Sequence, residues 1–377
     1  MRQVALYSGL LIFGILVSQF IALDQIRTPL TAITMACLAY IMVEVGLEFS
    51  LDKRRLKSYG WDYIVAATAA AFPWIVCATY FVVLFQTPWK EALLIGRFAA
   101  PTSAGVLFAM LGAAGLGTTW LFRKVRILAI FDDLDTVLLM IPLQVMLVGF
   151  KPELAAVIAI IGLLLIVAYR WLHQVHLPVG RGWLLGYGVT IVGLCAVLEH
   201  TTNVHLEVLL PAFALGCLLH NPHDPLRPQE HPHEHAHLEP ESGGARALDR
   251  SVKALFMFLV GCSLPRIALQ GRTAGTVLWH VVILTVLSNV GKCFPTLCYR
   301  REASLRERLA VSVAMFPRGE VGAGVLLVAI GYGLTGLPIV MGSLSLALNL
   351  LLTGVFIVAV IRLLAKRPVS SQTINPG

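Results

Sequence analysis

The sequence predicts an all-α integral membrane protein of about twelve transmembrane helices, with two inverted five-helix repeats and discontinuous crossing helices 4 and 11. Three observations carry that prediction. The 377 residues are 57% hydrophobic and 13% charged, with a mean hydropathy of +0.79, whereas a soluble domain is about 25% charged. Apolar stretches of bilayer-spanning length recur along the chain. Two of them, each interrupted by a proline, align with one another at a fixed offset.

Taken in order, the stretches are 4–23, 30–50, 61–85, 91–116, 127–149, 153–169, 182–198, 205–219, 252–271, 275–298, 309–333 and 338–361; 153–169 and 205–219 are the shortest. Span 1 follows Arg2 and precedes no small-residue cleavage site, so it reads as a retained helix and not a secretory signal. Spans 2 and 3 are separated by the basic run Lys53-Arg54-Arg55. Spans 4 and 11 carry Pro101 and Pro317 near their middles, and span 5 stays apolar to about Phe150 around three aspartates. The organisation expected is a first repeat over 1–150 (helices 1–5), linking helices 6 and 7 over 151–200, and helix 8 over 201–220. A His-rich cytoplasmic loop over 221–250, the rest of the second repeat over 251–367 (helices 9–12) and a tail over 368–377 follow.

The net charge of +8 is spread in a way that argues for a bilayer and against nucleic acid as partner. With Lys253 and Arg266, near the two ends of the 252–271 stretch, counted with the connections they adjoin, the tails and even-numbered connections hold 21 of the 29 Lys and Arg residues; the odd-numbered connections hold Arg27, Lys90, Lys151, Arg266 and Arg272. That is the positive-inside bias, which puts both termini in the cytoplasm and favours an even number of spans. Arg97, Lys292 and Arg318 are left inside apolar stretches. The seven cysteines show neither metal-site spacing nor a disulfide framework, and nothing in the chain implies a cofactor. His231, His233, His235 and His237 lie in a proline-rich polar loop. They are weak candidate metal ligands, because alternating histidines without regular structure make a loose chelator.

Residues 91–117 and 307–333 align without gaps at an offset of 216, with 7 of 27 identical, including Glu91 with Glu307, Pro101 with Pro317, and Gly115 and Gly117 with Gly331 and Gly333. The same offset carries span 3 onto span 10 and span 5 onto span 12. A displacement of seven spans is odd, so the two units are inverted across the membrane, a signature of secondary transporters. Proline removes a backbone donor and clashes with the preceding turn. A helix broken at the midplane is tolerated where it lines a cavity or is buried in protein. Two such breaks bring half-helix ends together, and these favour anions at N-termini and cations at C-termini.

The costliest residues are Asp132, Asp133 and Asp135 in span 5. Each aspartate near the middle of a spanning helix costs roughly 2.5–3.5 kcal/mol, and carboxylates at that depth mark ion or proton pathways. Asp132 and Asp133 lie about 9–10 Å in from Arg126 and Lys292 about 12 Å in from Arg300, at helical rise. The depths match, so a carboxylate of the pair and the ammonium offset each other's desolvation. Adjacent aspartates point about 100° apart, so the other can face a cavity. Asp135 shares a face with Asp132 and extends the site or lines the opposite vestibule. Arg318 and Glu320 flank the second break as structural or gating charges, with Glu320 near a half-helix N-terminus. Glu48 sits near the cytoplasmic end of span 2; Glu44 is deeper, and Arg97 is its candidate partner.

In these motifs the chain resembles the second branch of the cation/proton antiporter superfamily, which includes bacterial sodium/proton and potassium/proton antiporters. The resemblance rests on Gly46-Leu-Glu48 in span 2, Pro101-Thr-Ser103 in span 4, Phe131-Asp-Asp133 in span 5, Gly291-Lys292 in span 10 and Pro317-Arg-Gly-Glu-Val-Gly322 in span 11, in family order. It implies that Asp133 is the main cation- and proton-binding carboxylate, that Asp132 pairs with Lys292, and that Thr102 and Ser103 supply oxygens. It implies a core of helices 3–5 and 10–12 moving against a scaffold of 1, 2, 8 and 9, in a homodimer. The departures from the family pattern are Asp135, Arg97 and the His-rich insertion.

The function expected is therefore exchange of a monovalent cation, Na⁺ or K⁺, for protons, without enzymatic chemistry. A buried carboxylate holds a proton or a dehydrated cation but not both, and alternating access couples the two flows. A gated cation channel or membrane sensor built on the same acidic cavity is the alternative reading. A divalent-metal transporter is a third, weakened by the lack of histidine near the aspartates.

Overall fold

The computed structural model describes residues 2–21, 26–48, 56–103, 119–149, 174–202, 208–220, 243–263 and 274–365, with isolated positions within 107–116 and 159–171. Among these residues there are twelve α-helices. They are α1 (Arg2–Phe20), α2 (Arg27–Glu48), α3 (Leu56–Phe85), α4 (Trp89–Gly96), α5 (Trp120–Val148) and α6 (Arg181–Thr202), then α7 (Leu209–Leu218), α8 (Gly243–Cys262), α9 (Ala274–Gly291), α10 (Leu305–Ala314), α11 (Glu320–Gly331) and α12 (Leu337–Ala365). Span 6 and the second half of span 4 fall mostly outside the described residues, as do His231, His233, His235 and His237 and the last twelve residues.

Among the described residues, five segments are long and apolar enough to cross a membrane: Thr28–Leu47, Tyr59–Phe85, Arg181–Leu198, Ala274–Leu297 and Leu337–Leu364. Two of the other expected spans depart from a plain apolar helix. α5 carries its aspartates in mid-helix, and the eleventh span is divided between α10 and α11. Local signals set the helix ends. The Thr119 hydroxyl accepts from the Phe122 amide to start α5, and Gly149, at φ +83°, ends it. Ser304 and Glu307 form a reciprocal capping box at the start of α10.

The inverted pattern is visible in the packing. α1 lies on α8 and α2 on α7, so span 1 pairs with span 9 as span 2 pairs with span 8. Both crossings are made by glycine. A Cβ on Gly14 would lie 2.2 Å from Phe258 O, and one on Gly46 would lie 2.2 Å from Phe213 O; Gly261 and Gly216 are equally tight from the other side. Such close backbone approach is how membrane helices associate without a hydrophobic driving force. The other set, α3, α5, α9, α10 and α12, packs mutually, with α3 against both α5 and α9 and α12 against both α9 and α10. Every residue of α11 from Glu320 to Ala329 is buried, placing that half-helix at the centre. Phe13, Phe20, Trp183 and Val197 are exposed on outer faces, as expected of side chains that meet lipid.

A charged network at one end of the second set joins α3 and α5 to the segment before α10. Lys124 meets Asp62 at 3.0 Å and Glu302 at 3.2 Å and lies 4.3 Å from the Tyr299 ring centre, while Tyr299 donates to Asp62 at 2.6 Å. Burial and the Asp62 carboxylate push the Tyr299 hydroxyl up, so it stays protonated as a donor.

Candidate functional site

The two broken spans meet and satisfy each other. After α4 the chain makes one 3₁₀ turn, Arg97–Ala99, then runs without regular structure through Pro101 to Ser103. Between α10 and α11 it does the same over residues 315–319, around Pro317. The Ser103 amide donates to Pro317 O at 2.8 Å, and Arg318 Nε donates to Ala99 O at 2.8 Å. Backbone groups released by one proline are thus taken up across the crossing. Gly319 permits the approach, since a Cβ there would lie 2.8 Å from Ser103 Oγ.

Against this crossing α5 presents its aspartates. Asp132 is fully buried and its Oδ2 pairs with Lys292 Nζ, itself fully buried. The Thr102 hydroxyl lies 2.7 Å from the same oxygen and 3.2 Å from Met315 O. Asp132 Oδ1 accepts no hydrogen bond from the described residues. Asp133, 1% exposed, is in the same turn and within electrostatic reach of Lys292. The depth match seen in the sequence therefore corresponds to contact, by a different route. α9 stops at Gly291, whose missing Cβ would lie 2.6 Å from Pro73 N, and Lys292 projects from the following turn. Pro295, which has no amide to donate, follows in a short 3₁₀ helix.

Arg318 and Glu320, expected as structural or gating charges, are held by separate partners. The fully buried Arg318 donates from Nη1 to Asn289 Oδ1 at 2.6 Å and to Phe316 O at 3.0 Å, and from Nη2 to Ser288 O at 2.8 Å. Asn349 Nδ2 donates to the same Asn289 oxygen at 2.8 Å. Glu320, the first residue of α11, accepts from Ser103 Oγ at 2.9 Å, so the half-helix N-terminus does carry a carboxylate.

The expected pairing of Arg97 with Glu44 is corrected. Arg97 is fully buried, donates from Nη2 to Asp135 Oδ2 at 3.0 Å and to Asp135 O at 2.7 Å, and lies 4.5 Å from the Trp74 ring centre. Glu44 instead pairs with Arg181 and, at 2.7 Å, with Lys253, which also meets Asp249 at 3.0 Å. The cause is topological: α2, α6 and α8 pack together, and the broken fourth span packs with α3, α5 and α11. Asp135, 6% exposed, holds Arg97 and is within electrostatic reach of Asp132. Glu48 closes α2, and its side chain lies outside the described residues. Asn289, Asn349, Ser288 and Trp74 were not foreseen, and a neutral polar residue in an apolar helix carries little signal. Among the described residues no group of three or more His, Cys, Asp or Glu side chains is placed to hold a metal ion.

Comparison with known proteins agrees with this architecture. The structure of the sodium proton antiporter MjNhaP1 from Methanocaldococcus jannaschii superposes with a TM-score of 0.58 at 14% identity, over 94% of this chain and 89% of that one. At that identity the likeness concerns the fold. No curated protein sequence matches the chain. The family model described as "Sodium/hydrogen exchanger, transmembrane" matches residues 3–366. With nearly its whole length matched, and with buried salt-bridged carboxylates at the meeting of two broken helices, the chain is a membrane transporter and not an enzyme, and it belongs to the sodium/hydrogen exchanger family.

Proposed function

We propose that the protein exchanges a monovalent cation, Na⁺ or K⁺, for protons by alternating access at Asp132 and Asp133. The observation that carries this reading is the buried Lys292–Asp132 pair at the crossing of the two broken spans, with Asp133 in the same turn. Asp133 is the carboxylate that alternately takes the proton and the cation. Thr102 and Ser103 supply hydroxyl oxygens, replacing part of the cation's hydration shell. When Asp133 is protonated the cation is excluded, and when the cation is bound the proton is displaced.

Helices α3, α5, α9, α10, α11 and α12 with the broken fourth span form the moving core, and α1, α2, α7 and α8 form the scaffold. Twelve spans, cytoplasmic termini and a homodimer complete the proposed arrangement, on the strength of the charge asymmetry and the family resemblance. Arg318 and Glu320 hold the crossing together and are not themselves carriers.

The test is cation-induced proton flux in proteoliposomes carrying an imposed pH gradient. Adding Na⁺, K⁺ or Li⁺ is expected to dissipate the gradient saturably, with one ion effective at the lowest concentration. The half-maximal cation concentration should rise as pH falls, because protons and cation compete. Cation current without stoichiometric proton movement would instead identify a channel.

A further inference from the structure

Three carboxylates, Asp132, Asp133 and Asp135, are buried within one turn of α5, and two fully buried cations lie against them, Lys292 on Asp132 and Arg97 on Asp135. Arg318 and Glu320, also buried, add one charge of each sign. With every group ionised, one negative charge is left over. One is also the charge that a monovalent cation or a proton supplies.

Arg97 brings the excess down to one, and it is fixed in place. Its Nη2 donates to Asp135 Oδ2 at 3.0 Å and to Asp135 O at 2.7 Å. The guanidinium lies 4.5 Å from the Trp74 ring centre, and Trp74 Nε1 is tied in turn to Leu93 O at 2.6 Å. Arginine does not lose its proton in proteins, so this charge is constant at any working pH. The pair is not needed to build a break: the positions 216 residues beyond Arg97 and Asp135 are Val313 and Leu351, and the second break forms with neither charge. Asp132 is within electrostatic reach of both members of the pair.

We propose that Arg97 is a built-in cation that permanently occupies Asp135, so that three buried carboxylates offer a single site to the transported ion, and that the pair sets the cation affinity of that site. Arg97 touches no transported ion; it acts through Asp135, as a positioning residue. This rests on the exchange reading of Asp132 and Asp133. The two members of the pair then have unequal consequences. Losing the Asp135 charge strands a guanidinium that cannot neutralise, and its field opposes a cation one helical turn away. Losing the Arg97 charge strands a carboxylate, which can take up a proton or a second cation.

The test is proton flux in proteoliposomes driven by Na⁺, K⁺ or Li⁺, read separately as half-maximal cation concentration and maximal rate, with folding of each variant checked by size-exclusion chromatography. Asp135→Asn should raise the half-maximal concentration about tenfold or more, the scale of a unit charge at this separation and an effective dielectric constant of about 20. Arg97→Gln should not raise it, and the double variant should return it to near the unaltered value. Equal rises in the two single variants, or a fall in maximal rate alone, would show a purely structural pair and overturn the proposal. On the unaltered chain in detergent, radiolabelled Na⁺, or Rb⁺ in place of K⁺, should saturate at one ion per chain; two or more would overturn it without recourse to a variant. No cation-driven proton flux in the unaltered protein would overturn the exchange reading as well, whereas normal flux without the Asp135→Asn shift would overturn this inference alone.

Discussion

In the first repeat the helix packed beside the break, α5, carries Asp132 and Asp133; in the second, α12 carries Asn349 at the position 216 residues beyond Asp133. The two surroundings differ in the same sense. Arg318, on the second break, has each guanidinium nitrogen committed, to Ala99 O, Asn289 Oδ1, Phe316 O and Ser288 O, and Asn349 fixes Asn289 in turn. On the first side Asp132 Oδ1 accepts nothing from the described residues, and Arg97 Nε and Nη1 donate to none of them. An amide cannot titrate and a carboxylate can. The proposed function divides the labour accordingly: the second half is a hydrogen-bonded frame, and the first half is proposed to carry the exchangeable charge.

The largest effect expected from attacking that comparison is on stability, in the frame. Arg318→Ala strands several buried acceptors at once, each costing about 1–3 kcal/mol, and should lower the melting temperature in detergent more than any single change on the carboxylate side. Next is the pair across the halves. Lys292→Ala leaves Asp132 uncompensated at a cost of about 3–5 kcal/mol unless the carboxylate neutralises, and adding Asp132→Asn should recover part of that. A double-mutant cycle should give a coupling of about 0.5–3 kcal/mol; simple additivity would mean that the two residues act separately. Arg97→Gln should behave similarly with Asp135→Asn, and exchange should persist in that double variant, since this pair lies outside the proposed carrier. Asn349→Ala should cost about 1–2 kcal/mol, one lost hydrogen bond plus a cavity, with exchange retained. Smallest of all, deleting residues 228–242 should leave exchange and its cation order unchanged.

The two pairings show how far sequence alone could reach. That Lys292 meets the aspartate pair of α5 was legible because burying an isolated charge is so costly that partners are expected at matching depth; the depths left Asp132 and Asp133 both eligible, and the family resemblance singled out Asp132. For Arg97 the sequence suggested Glu44, whereas its partner is Asp135. Glu44 is out of reach because α2 belongs to the packing set with α6 and α8, which no spacing along the chain encodes. The repeat foretold the crossing of the breaks through Pro101 and Pro317. The bonds that seal it, from Ser103 to Pro317 and from Arg318 to Ala99, involve backbone carbonyls that every residue possesses, so composition could not single them out. Asn289 and Asn349 escaped for a related reason, because an amide costs far less to bury than a charge and leaves a weaker mark on the pattern.

The central claim is that the titrating carboxylate of the first half carries the ion while its amide counterpart in the second half does not. Cation-induced proton flux in proteoliposomes, measured for Asp133→Asn beside Asn349→Ala, tests it most directly, with folding of both checked by size-exclusion chromatography. The account predicts background flux for Asp133→Asn in folded protein and clear, saturable exchange for Asn349→Ala. Near-normal exchange in Asp133→Asn would contradict it.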